Sequence, residues 1–108
     1  MTDNDYAALK FMNNYTNDKV ILAPLRFGDA IYPVSKNNAV ASPYFLGTDD
    51  KRRENSAFFL FENCTERKRV LEIYRPDYLI SESAINCPEM GLELIYNEGD
   101  YIYKVSNS

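Results

Sequence analysis

The sequence predicts an α+β fold: an N-terminal helix packed on a mainly antiparallel sheet of five to seven short strands, with a partly open small barrel as its more curled form. Three observations carry this. Residues 91–105 hold two apolar runs, Gly-Leu-Glu-Leu-Ile-Tyr and Tyr-Ile-Tyr-Lys-Val, around Asn97, Glu98, Gly99 and Asp100, a loop of hairpin length and composition. Near the start, Ala8, Phe11, Met12 and Tyr15 recur at helical spacing behind an acidic opening. Between these two regions, short apolar runs alternate with Pro- and Gly-bearing turns, the pattern of a meander.

The hairpin can be read residue by residue. With Tyr96 opposite Tyr101, the following pairs are Ile95 with Ile102, Leu94 with Tyr103, Glu93 with Lys104 and Leu92 with Val105. This register puts Leu92, Leu94, Tyr96, Tyr101, Tyr103 and Val105 on one face and opposes an acid to a base on the other.

The helix is expected over 4–15. Thr2 and Asp5 stand three residues apart, as in a capping box, and the narrow apolar stripe suits a helix lying across a sheet. A strand follows over 19–25, closed by Pro24, then a turn at 26–29. Residues 30–34 read as a second strand, which Pro33 confines to an edge or a bulge because it has no N–H for a ladder. Residues 39–41 and 44–46 read as strand pieces broken by Pro43. The stretch 48–56 has no apolar residue and reads as a solvated loop, whereas Ala57-Phe58-Phe59-Leu60-Phe61 is apolar on both faces and reads as a central strand. Residues 62–68 would turn the chain and 69–74 return it as a hairpin partner, stopped by Pro76. A short strand or a helical turn fits 78–80, and a loop fits 81–87.

A chain of 108 residues with 45% hydrophobic content is one domain, residues 1–108, able to bury a core of its own. Its nine tyrosines favour strands and contact surfaces. Formal charge is −4, distributed as −2 over 1–50, +3 over 51–76 and −5 over 77–108. The acidic last third suits a basic partner better than a phosphate backbone. Two cysteines, Cys64 and Cys87, do not define a disulfide framework, and neither a leader nor a membrane-length apolar run is seen, so the expected compartment is the cytoplasm. Asn14-Tyr15-Thr16 and Asn63-Cys64-Thr65 match the glycosylation pattern, which has no use there.

Histidine is absent, which removes the usual general base and the commonest metal ligand. No catalytic residue, metal ligand set or cofactor site is predicted. Ser35 and Lys36 are adjacent, which points their side chains apart in an extended chain. Asp49, Asp50 and Glu54 enclose Lys51, Arg52 and Arg53, which repel a cation. Cys64 and Cys87 supply two soft ligands where a structural zinc needs four. The scattered glycines form no phosphate cradle.

By elimination, the sequence reads as a non-catalytic protein-interaction module: a small acidic regulator or inhibitor, of the kind a phage or other mobile element encodes. Its partner would be a protein with a basic surface, such as a nucleic-acid enzyme, met by Glu89, Glu93, Tyr96, Glu98, Asp100 and Tyr101. The alternative is a nucleic-acid binder using Arg52, Arg53, Arg67 and Lys68 in loops at 51–53 and 67–69, with Phe58, Phe59 and Phe61 between them. A six-residue strand would hold those two triplets about 20 Å apart, which disfavours a single phosphate-binding patch.

Overall fold

The computed structural model describes residues 1–43 and 47–106. The strand piece expected at 44–46 lies outside the described residues. The chain forms α1 (Asp3–Tyr15), β1 (Val20–Leu22), a 3₁₀ turn (Leu25–Phe27), α2 (Gly28–Ala30), a π-helical turn (Ile31–Ser35) and β2 (Asn38–Ala39). It continues through α3 (Asp49–Leu60), α4 (Cys64–Tyr74), β3 (Tyr78–Ser81), a 3₁₀ turn (Pro88–Met90), β4 (Leu92–Glu98) and β5 (Asp100–Val105). This is an α+β fold built on a five-stranded open sheet, ordered β2-β1-β3-β5-β4. The sheet is mixed, correcting the mainly antiparallel meander and the barrel. β1 runs parallel to both β2 and β3, and β5 runs antiparallel to β3 and β4. Parallel neighbours need long crossovers, and helical segments of the chain provide them.

Strand β3 is buried at every position, Tyr78 to Ser81, so it is a central strand covered on both sides. Tyr78 and Ile80 join Ile21, Ile102, Ala8, Leu9, Met12, Phe27 and Ile31 in one core beneath α1. Leu79 joins Leu22, Tyr103, Val105, Phe58, Val70 and Leu71 in the other, beneath α3 and α4. Helix α1 begins as its sequence predicts: Asp5 N–H donates to Thr2 Oγ1 and Thr2 N–H donates to Asp5 Oδ2, closing the capping box.

Residues 30–34 are helical and not an edge strand. Pro24 precedes the first turn, and the widened turn Ile31–Ser35 accommodates Pro33, whose missing N–H leaves one fewer bond to satisfy. Gly28 is required there, since a Cβ on it would lie 2.5 Å from the Ser42 Cα. The expected strands at 19–25 and 39–41 shrink to Val20–Leu22 and Asn38–Ala39.

The larger correction covers 48–74. The expected loop at 48–56 and strand at 57–61 form α3. The expected turn at 62–68 and strand at 69–74 form α4. The Thr48 side chain accepts from Lys51 N–H, Asp49 and Asp50 favour the helix N-terminus, and Arg52 and Arg53 pair one turn back with them at 3.1 and 3.0 Å. The Asn63 side chain accepts from Glu66 N–H to start α4. Only Phe58 and Asn55 of α3 are buried, leaving Leu60 and Phe61 73% and 65% exposed where the strand reading buried them.

The hairpin keeps the predicted pairs Leu92–Val105, Glu93–Lys104 and Leu94–Tyr103. Beyond them the ladder shifts by one, with Ile95 as the extra residue, so Tyr96 faces Ile102, Asn97 faces Tyr101 and Glu98 faces Asp100 across Gly99. Tyr96 thereby moves to the α1 face while Tyr101 stays toward α3 and α4. The loop predicted at 97–100 is reduced to a turn at Gly99, whose φ of +93° suits glycine. Cys64 and Cys87, 23 residues apart, form a disulfide that pins the start of α4 to the chain after β3.

Candidate interaction surface

Strand β4 is the outer strand of the antiparallel side of the sheet. Among the described residues its outer edge carries no further strand, and Glu93, Leu94, Asn97 and Glu98 are exposed along β4. Glu89 is also exposed, in the 3₁₀ turn before β4, beside a concavity of about 350 Å³ lined by Lys68, Glu72 and Arg75.

The structure does not gather the six predicted partner-binding residues into one patch. Glu89, Glu93 and Glu98 are exposed. Tyr96 is half-buried, its ring centroid 4.9 Å from that of Phe11, and burial, together with the charges of Glu98 and Asp100, pushes its phenol up. Tyr101 is half-buried on the opposite face because the bulge at Ile95 separates the two tyrosines. Asp100 is 5% exposed and belongs to the interior.

The basic set fares differently again. Arg67 is buried: its Nε donates to the Phe58 carbonyl at 2.8 Å and its guanidinium lies 5.5 Å from the Phe58 ring centroid. Arg52 donates to the Ser42 carbonyl at 2.8 Å and pairs with Asp49, while Arg53 pairs with Asp50. Lys68, the next residue of α4, is exposed. These four do not present a common cationic face, because Arg67 is spent inside the helix pair, Arg52 on the Ser42 carbonyl and Asp49, and Arg53 on Asp50.

Sequence reasoning missed a polar cluster at the other end of the hairpin. Asp5 of α1 and Asp100 of β5 are 1% and 5% exposed. Arg26, leaving β1, reaches Asp5 at 3.3 Å and also pairs with Glu82 beyond β3. Burial pushes the Asp5 carboxyl up, but hydrogen bonds involving Asp100, Thr2 and Arg26 outweigh it and hold the group at about 2. Burial, then the hydrogen bond and charge of Asp5, push Asp100 up to about 7, only partly offset by Arg26. Asp5 carried one sequence signal, its capping-box spacing; nothing along the chain linked it to Arg26 or Asp100.

Among the described residues, the only three potential metal ligands found together are Cys64, Cys87 and Glu89, whose ligand atoms lie within 4.8 Å of one another. Both sulfurs are committed to the disulfide, which leaves a single carboxylate donor. Among the described residues, no helix is long and apolar enough to cross a membrane.

An open mixed sheet with helices packed on both faces is the architecture of an α+β domain. No family model matches the chain, and no curated protein matches it. Among solved structures it is similar to the C-terminal globular domain of an oligosaccharyltransferase from Archaeoglobus fulgidus, with a TM-score of 0.71 over 98% of this chain and 99% of that one. At 13% sequence identity the likeness concerns the fold.

Proposed function

We propose that this chain is a non-catalytic interaction module whose edge strand β4 receives an extended basic segment of a partner protein. The observation that carries the reading is that the seven-residue β4 lies at the sheet edge with Glu93, Leu94, Asn97 and Glu98 exposed. An added strand would gain main-chain hydrogen bonds from that edge, and lysine or arginine at matching positions would meet Glu93 and Glu98. Holding a basic surface in this way is how such a domain would regulate or inhibit its partner. The archaeal domain of like fold is the C-terminal part of an oligosaccharyltransferase, and service as an accessory unit beside a larger protein fits the same reading.

The disulfide favours a compartment that does not reduce it, over the cytoplasm that the sequence suggests. Nucleic-acid binding is set aside because Arg67 spends its guanidinium on the Phe58 carbonyl.

The test uses a synthetic extended peptide with lysine at alternate positions. Glu93→Lys with Glu98→Lys is expected to weaken its binding by about tenfold or more, and the equally charged control Glu62→Lys with Glu72→Lys by less than about threefold. Equal losses in the two variants would reduce the effect to net charge and remove β4 from the account.

A further inference from the structure

Four elements meet at one corner of the molecule. Helix α1 starts there, the chain leaves β1 and β3 there, and the β4–β5 hairpin turns there. Asp5 Oδ2 accepts the Thr2 N–H at 2.9 Å and Arg26 Nε at 3.4 Å, while Asp5 Oδ1 accepts Arg26 Nη2 at 3.3 Å. Asp5 is thus surrounded by donors. Asp100 is not: its Oδ2 is buried and has no hydrogen-bond donor among the described residues. The groups facing Asp100 are Asp5 from α1, Arg26 from the segment after β1, Glu82 from the segment after β3, and Tyr96 and Glu98 from β4. The one guanidinium pairs with Asp5 and with Glu82, whose side chain is 65% exposed and solvated, and reaches Asp100 only through its field.

Two carboxylates buried against each other do not both ionise at low cost, and the one lacking donors keeps the proton. We propose that Asp5 and Asp100 share one proton, carried by Asp100 and donated to Asp5, and that this proton latches the hairpin tip to the start of α1. The tip is already pressed on the helix, since a Cβ at Gly99 would lie 2.5 Å from the Asn4 side chain. With the proton in place, the buried Asp5–Asp100 pair holds one negative charge facing Arg26, and Asp100 has a use for its hydroxyl. Without it, a second negative charge is buried with no donor of its own, and the tip lifts from α1.

The direction with pH follows. An unfolded aspartate releases its proton near pH 4. Asp100 holds its proton to about 7 in the fold, so the latch is at full strength below about pH 4 and is lost as pH rises through 7. The latch stands whether or not β4 receives a partner.

Amide hydrogen exchange of residues 2–6 and 98–102, corrected for intrinsic rates, tests it at pH 5.5 and 8. In the native chain, protection is expected to fall by about tenfold or more between the two while that of α3 and α4 holds. In Asp100→Asn, which keeps a donor and cannot ionise, it is expected to stay within about threefold. No fall in the native chain, or an equal fall in the variant, would overturn the proposal. A carbon-13 titration of the Asp100 carboxyl in the native chain gives a second reading that needs no variant. An inflection near 7 supports the shared proton, and one near 4 overturns it.

Discussion

The β4–β5 hairpin and the α3–α4 pair are each two consecutive elements joined by a short turn, but they are held together by different means. The hairpin rests on its backbone ladder, on the turn at Gly99 and on side chains pressed into two cores. The helix pair is tied by polar cross-links. Arg67 donates to the Phe58 carbonyl, Tyr74 Oη donates to Glu54 Oε1 at 2.6 Å and Arg69 pairs with Glu54 at 2.9 Å, while the disulfide from Cys64 to Cys87 anchors the start of α4 to the segment after β3. The Tyr74 hydrogen bond, aided by Arg69, draws the Glu54 carboxyl down and, with burial, pushes the Tyr74 phenol up to about 12. A ladder leaves its outer edge unspent, whereas a cross-linked helix pair has its backbone bonds closed within itself. The difference puts the available backbone donors and acceptors on β4.

The comparison can be broken most forcefully at the disulfide. Replacing Cys64 and Cys87 together by serine is expected to cost about 3 kcal/mol in chemical denaturation, given the loop that the bond closes. A loss below about 1 kcal/mol would leave the helix pair no more firmly anchored to the rest of the molecule than the hairpin. Next comes Arg67→Met, which keeps apolar bulk and strands the buried Phe58 carbonyl; the expected cost is about 2 kcal/mol by the same measurement. On the hairpin side, Gly99→Ala places a side chain at a φ of +93° and against Asn4, and is expected to cost at least about 1 kcal/mol. An unchanged midpoint would mean that the turn carries no strain worth comparing. Smallest is the double reversal Glu93→Lys with Glu98→Lys, expected to cost no more than about 1 kcal/mol, because both side chains face solvent and only the new lysine opposite Lys104 adds repulsion. A larger loss would show the edge to be part of the scaffold.

The same two regions explain what could be read from the chain. The hairpin was legible because alternation at period two and the pairing of Glu93 with Lys104 point to a single register near its open end. Only the bulge escaped, since an extra residue at Ile95 leaves the apolar pattern of each strand intact. Helix α1 was legible through Thr2 and Asp5, which sit at its cap as their spacing requires. The helix pair was not, because α3 buries only Asn55 and Phe58 and shows little apolar periodicity. Its signals lay in Thr48 and Asn63 as caps and in charges three residues apart. Asn55 has a similar long-range role, donating to the Ala23 carbonyl at 2.8 Å and tying α3 to the end of β1. The predicted acidic surface lost Asp100 for the same reason: a carboxyl's burial depends on Asp5 and Arg26, which lie far away along the chain.

The two sides of the sheet are also unequal in reach, since β2 contributes two residues and β4 seven. Strand addition through β4 would use up the one long template that this sheet presents, and the short opposite side offers no comparable site for a second addition. Association by this route would therefore stop at one guest per molecule, giving a closed complex of fixed stoichiometry instead of a growing fibre.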